Sequence, residues 1–284
     1  MDRWANWLRV RRTGGSEEAR QATLQLLAPV RERVLDNAQL EPGELLLDVG
    51  CGDGLIGLGA LDRGARVIFS DISEECLSDC RAVAGDDAEY LRAAATDLGD
   101  VVADVVTTRS VLIYVDDKPK AFAEFFRVLR PGGRISIYEP INRFGSEERR
   151  RTYGFRSVDG IEELLARVVV AIDRGEEDAG GLDSMIDFDE RDLLDLAEAA
   201  GFVDIRLELI AEVAKEPMWS SRDWQVFLET SPNPLAPTFG EAMKDALTLE
   251  EAEQLTAVLR PQVERGEGTT RMARAFVSAR KPSA

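Results

Sequence analysis

The sequence predicts an α/β domain, a mostly parallel sheet with helices on both faces, and three observations carry that expectation. Residues 45–49, LLLDV, have the length and apolar content of a buried parallel strand. The run breaks into glycines at alternate positions, Gly50, Gly52 and Gly54, and then into an apolar helix start over residues 55–61. Strand-like and helix-like stretches go on alternating as far as residue 142, and 284 residues suit one such domain with insertions rather than two large ones.

Before the first strand, Trp4, Trp7 and Leu8 fall at helical spacing, and Thr13, Gly14 and Gly15 break the pattern. Ser16 is placed to cap a long helix, which Pro29 should kink or divide. This N-terminal segment, 1–40, reads as a helical cap, either stapled onto the core or lying over a ligand.

After the glycines, ARVIFSD is a second buried strand ending at Asp71, and Ser73 with Glu74 and Glu75 opens a helix. EYLRAAA reads as a third strand, followed by Thr96, Asp97 and Leu98. ADVVTTRSVLIYV is a β-rich fourth run ending near Arg109 and Ser110. Asp116, Asp117 and Pro119 open an amphipathic helix, and the turn PGG leads into a fifth strand ending at Glu139.

The glycine-rich turn fits two ligand classes. Gly52, Gly54 and Gly57 match the G-x-G-x-x-G of dinucleotide binders, whereas Asp48, Gly50, Gly52 and Gly54 match the D-x-G-x-G-x-G loop that holds S-adenosylmethionine (SAM). A diphosphate beside Asp48 and Asp53 is poor electrostatics, while a sulfonium with an ammonium suits an acidic loop. A nicotinamide-dependent oxidoreductase is thus the second reading, and a non-catalytic SAM-binding module a third. In either nucleoside reading Asp71, at the end of the second strand, can accept the ribose hydroxyls.

LLLDVGCGDG, followed about 80 residues later by LRPGG and a strand, resembles class I SAM-dependent methyltransferases over residues 41–142. The resemblance implies a Rossmann-like seven-stranded mostly parallel sheet, with SAM as cofactor and S-adenosylhomocysteine as product. It places Asp48, Gly50, Cys51, Gly52, Gly54, Asp71, Ile72, Asp97, Leu98, Arg109 and Ser110 around the cofactor, Asp97 toward the adenine amino group. Arg109 departs from the Asn, Gly or Ser common in the family; it is expected to meet the SAM carboxylate or an anionic substrate.

Beyond the core the pattern loosens. Residues 143–187 read as a helical insert, with ELLARVVVAI a helix, the polar RGEEDAGG a loop, and Arg149, Arg150 and Arg151 an exposed face paired with Glu147 and Glu148. Residues 188–212 resume the core with a helix capped by Asp189 and a strand, VDIRLELI; 213–269 form a second insert carrying Trp219, Trp224 and Phe227; and 270–284 hold the last strand. The two inserts should cover the substrate together with the N-terminal cap.

A net charge of −18 argues against a nucleic-acid surface. Without an early apolar segment or a membrane-length apolar run, a soluble cytoplasmic protein with no membrane partner is expected, of open oligomeric state. Cys51, Cys76 and Cys80 read as buried small groups, and the lack of histidine removes the commonest base and metal ligand, so no metal is expected. The expected function is methyl transfer to O or N of a small molecule in specialised metabolism, mainly by alignment. If a base acts, Glu139, Asp187 and Tyr153 are the residue types at hand, with Glu139 and Tyr153 preferred.

Overall fold

In the computed structural model, which describes residues 1–219 and 221–283, seven strands form one sheet: β1 (Leu45–Val49), β2 (Arg66–Asp71), β3 (Ala88–Arg92), β4 (Ala103–Arg109), β5 (Leu129–Pro140), β6 (Val203–Ala214) and β7 (Thr270–Arg280). Their order is β3-β2-β1-β4-β5-β7-β6. β1 to β5 pair in parallel, and β7 runs antiparallel to both β5 and β6. This is the Rossmann-like, mostly parallel seven-stranded sheet expected from the sequence.

The period of two along β1 assigns each side chain a layer. Leu45, Leu47 and Val49 pack with Phe122 and Phe125 of α5 (Lys118–Val128) and Leu193 of α9 (Glu190–Ala199). Leu46 packs on the other face with Val34 and Leu35 of α2 (Glu17–Asn37) and Ile56 of α3 (Leu55–Asp62). Asp48 shares the Leu46 face and so points at α3. Burying a Phe or Leu side chain stabilises by roughly 1.5–3 kcal/mol, and every residue of β1 is buried.

The N-terminal segment begins with α1 (Arg3–Asn6), capped by the Asp2 side chain and continued by a π-helical turn over Trp7–Arg11. Ser16 caps α2 as expected, but the helix runs unbroken through Pro29, whose ring is exposed. α4 (Glu74–Ala84) follows β2 with Ser73 as its cap.

Two inserts build a third apolar cluster, with Phe155, Leu165, Phe227, Phe239, Leu255 and Leu259 among its members. The first holds α6 (Asn142–Thr152), α7 (Glu162–Asp178) and α8 (Leu182–Ile186); the second holds α10 (Trp224–Glu229), α11 (Phe239–Ala246) and α12 (Leu249–Arg265). The expected loop RGEEDAGG is corrected here, because α7 continues to Asp178. Gly175 lies so close to the ring of Pro237 that a Cβ would overlap Pro237 Cδ at 2.5 Å, so packing overrides a polar, glycine-containing sequence. β6 also runs to Ala214, beyond its expected end. No helix among the described residues is long and apolar enough to cross a membrane.

Gly57 shows how closely α3 lies on the sheet: a Cβ there would sit inside the ring of the fully buried Phe69. Alanine gains about 1 kcal/mol in helix propensity, whereas overpacking costs about 1–3 kcal/mol. With Phe69 Cε1 only 2.2 Å from that Cβ the cost falls at the upper end, so Gly57→Ala should lower stability in urea denaturation by about 2 kcal/mol; an unchanged or raised midpoint would contradict this packing.

Candidate functional site

The strand order reverses between β1 and β4, and in such sheets ligands lie beyond the carboxyl ends of the strands at that point. A cavity of about 1000 Å³ opens there. Pockets for drug-sized ligands span about 300–1,000 Å³, so there is room for two ligands side by side.

The floor of the cavity is the glycine loop. Gly50 and Gly52 have φ of +65° and +54°, a region side chains rarely adopt, and a Cβ on Gly50 would overlap Val111. Beneath the loop, the Asp48 carboxylate accepts Gly57 N–H at 3.0 Å and Thr107 Oγ1–H at 3.1 Å. Gly57 is in the first turn of α3, whose start a phosphate would need. That donor is already taken by a buried carboxyl oxygen.

Asp71 lies beside the loop. Its Oδ2 accepts Gly52 N–H and its Oδ1 accepts Ser73 N–H, both at 2.9 Å, and the remaining lone pairs serve the cavity wall that Asp71 lines. Burial pushes its carboxyl up, against the pull of those two N–H groups.

Two arginines flank Asp53. Arg12 Nη2 lies 2.9 Å from Asp53 Oδ2 and Arg109 Nη2 lies 3.8 Å from Asp53 Oδ1. Burial raises the Asp53 carboxyl, but Arg109 and Arg12 outweigh it and hold it low. Two cations against one carboxylate leave a positive surplus beside the loop. Arg12 Nε is moreover buried with no hydrogen-bond partner among the described residues.

The roof is the N-terminal segment. Trp4 meets Tyr114 edge-on at 4.9 Å, Asp2 accepts Ser73 Oγ–H at 2.6 Å, and Leu8 Cδ1 lies against Gly52. Trp7 Nε1–H reaches Ser231 O at 3.0 Å, and Arg11 pairs with Glu241, so the roof also grips the second insert. The far wall carries Tyr114, Tyr153, Glu176, Trp219, Phe227 and Phe239.

Of the residues expected at the cofactor, Gly50, Gly52, Asp71, Ile72, Arg109 and Ser110 line this one cavity, as does Tyr153. Ser110 and Tyr153 both hold φ above +50°, unusual for residues with side chains, and both stand on its wall.

Six expected site residues do not line the cavity. Asp48 supports the loop from below, Cys51 is buried with its sulfur 3.8 Å from Cys80, and Gly54 caps α3. Asp97 is exposed at a turn closed by a bridge to Ala94, and the backbone near the expected adenine end is Ala93, Ala94, Ala95 and Thr96 instead. Leu98 is fully buried, its N–H held by Glu124.

Glu139 is the largest correction. It is fully buried beneath residues 111–113, and its carboxylate accepts N–H bonds from Val111 at 2.8 Å, Leu112 at 3.0 Å and Ile113 at 3.4 Å. Its geometry makes it a clamp for the loop after β4 rather than a base. Asp187 pairs with Lys118 at 2.7 Å. Arg149 turns inward to Glu176 and Asp173 instead of sharing the exposed face of Arg150 and Arg151. Sequence reasoning missed Arg12, Glu176 and Asn233; only the apolar i, i+4 spacing of Val168, Ile172 and Glu176 hinted that α7 turns Glu176 inward.

Burial raises Asp48 and Glu139 to about 7 from ordinary values of 3.8 and 4.5, against the N–H and O–H groups they accept. The folded chain therefore keeps protons that the unfolded chain has lost between about pH 4 and pH 7. Stability contributed by these groups is present at the acid end and lost as pH rises through that window. Scanning calorimetry should show the melting temperature falling from pH 5 to pH 8, with a flatter profile in Glu139→Gln. A midpoint that rises over that range would contradict the burial of these two charges.

Residues 47–137 match a family model described as a methyltransferase domain. Ubiquinone biosynthesis O-methyltransferase of Hahella chejuensis is 33% identical over 126 residues, covering 42% of this chain and 52% of that relative. Nocamycin O-methyltransferase of Saccharothrix syringae is 35% identical over 130 residues, covering 42% and 45%. The chain thus spans about half the length of these curated relatives. Among solved structures, Haemonchus contortus phosphoethanolamine N-methyltransferase 2 in complex with S-adenosyl-L-methionine superposes with a TM-score of 0.52 at 16% identity, over 98% of this chain and 56% of that one, a likeness of fold. The motif order, the strand order and the matched domain over residues 47–137 agree, and together they support a class I SAM-dependent methyltransferase.

Proposed function

We propose that this chain transfers a methyl group from SAM to an oxygen or nitrogen of a small-molecule acceptor. The observation that carries the reading is the cavity itself: a glycine loop whose helix end is filled by Asp48, with Asp71 on its wall and a surplus arginine charge beside it. A nucleoside with two ribose hydroxyls, a cationic sulfur and a carboxylate fits these groups. A diphosphate finds the first-turn donor of α3 occupied, which disfavours the nicotinamide reading.

Bound there, SAM supplies an electrophilic methyl group. Gly50 and Gly52 let a ligand lie against bare backbone, Asp71 takes ribose hydroxyls, and Arg12 and Arg109 take the carboxylate. Trp4, Trp7 and the insert wall keep water out. Holding two reactants in line in a dry site is worth roughly 7–11 kcal/mol in model systems, so no base is required of this wall. Tyr153, a phenol that is un-ionised at neutral pH even at its ordinary value of 10, is pushed further up to about 12 by burial, so it offers the cavity an O–H and not a phenolate. The O-methyltransferases and the N-methyltransferase among the similar proteins, with the −18 charge, support a small-molecule acceptor in a soluble cytoplasmic enzyme.

Asp71→Ala should weaken S-adenosylhomocysteine binding at least tenfold in titration calorimetry, and Gly52→Val should abolish it by filling the backbone contact. Unchanged affinity in Asp71→Ala would remove its ribose role.

A further inference from the structure

The far wall of the cavity holds a carboxylate that cofactor binding does not use. Glu176, in the last turn of α7, is 1% exposed and lines the cavity. Its Oε1 accepts both Arg149 Nη2–H at 3.0 Å and Asn233 Nδ2–H at 2.8 Å. Both of these bonds fall on Oε1, and Oε2 is left to the cavity that Glu176 lines. A carboxylate oxygen facing an apolar cavity gains most from a donor, so Oε2 marks the place for one from outside the chain.

The neighbours narrow what that donor belongs to. Arg149 is shared between Glu176 and Asp173, which also takes Arg150 at 3.4 Å, so its charge is spent within the chain. Arg271, the other cation on this wall, is exposed and stacks over Phe144. Tyr114 and Tyr153 both feel the Glu176 charge and line the same cavity. The rest of the wall is aromatic, with Tyr153 5.2 Å from Phe239 and Trp219 5.4 Å from Phe227 between ring centres.

We propose that Glu176 Oε2 anchors the methyl acceptor through a hydroxyl or ammonium group, so that the acceptor is an apolar, ring-sized molecule ending in a hydrogen-bond donor and not in an acid. This rests on the methyltransferase reading for the word acceptor, but the subsite stands on its own geometry. An ammonium or hydroxyl gains a charge-assisted bond there, while a carboxylate meets a like charge that only the shared Arg149 offsets.

The test is a matched series, 2-naphthol, 2-naphthylmethylamine and 2-naphthoate, titrated calorimetrically into the chain saturated with S-adenosylhomocysteine. The naphthol and the amine should bind at least tenfold more tightly than the naphthoate. Glu176→Gln should cut the preference of amine over naphthoate at least tenfold while leaving S-adenosylhomocysteine affinity within twofold. Naphthoate binding as tightly as the others would hand this wall to Arg271 and overturn the proposal, as would a Glu176→Gln chain that keeps the wild-type preference, or no binding by any of the three. Should S-adenosylhomocysteine itself fail to bind, the cofactor reading falls, and the same series on the free chain still decides the role of Glu176.

Discussion

A buried carboxylate at the end of the central strand organises this molecule. Asp48 is held on the α3 side of the sheet by the period of β1, and from there it reaches Gly57 N–H and Thr107. Those two bonds tie three elements, β1, α3 and β4, into one corner. The glycine loop between β1 and α3 is thus held at its ends, and the neighbouring carboxylate, Asp71, bonds it directly at Gly52. A charge so deep is tolerated only because it is hydrogen-bonded, and the burial that raises its proton affinity is the cost of that fixed corner.

The same economy governs the opposite side of the cavity. Glu139 lies at the end of β5 and gathers three successive N–H groups of the loop after β4, so that Val111 presses on Gly50 and Tyr114 faces the cavity. Two interior carboxylates thus shape the site without touching its contents. The lid follows from charge as well as from apolar contact: Arg12 crosses from the N-terminal segment to Asp53, while Trp7 and Arg11 bind the second insert. The N-terminal segment and the two inserts are therefore joined over the cavity.

How much of this was legible in the sequence depends on the range of the forces involved. The strands, their order of appearance and the helix starts at Ser16, Ser73, Asp189 and Thr248 are local signals, written in runs of apolar residues and in capping side chains, and the structure repeats them. That Asp71, Gly50, Gly52 and Arg109 meet at one cavity was readable because a strand end has a predictable place in a parallel sheet. Glu139 was misread for the same reason: its position at a strand end was correct, but the three donors that consume it come from a loop 26 to 28 residues away. Glu176 was hidden in a polar stretch whose helix depends on Pro237, and its partners Arg149 and Asn233 lie 27 and 57 residues away. Long-range pairing of charges leaves no mark on local pattern, and the setting of Glu176 on the far wall is built from it.

The claim on which the functional account turns is that this corner cradles a sulfonium nucleoside and refuses a diphosphate. Titrating the unmodified chain with S-adenosylhomocysteine and, separately, with NADH measures that directly. The account predicts saturable one-to-one heat with the first and none with the second; saturable NADH binding without S-adenosylhomocysteine binding would contradict it.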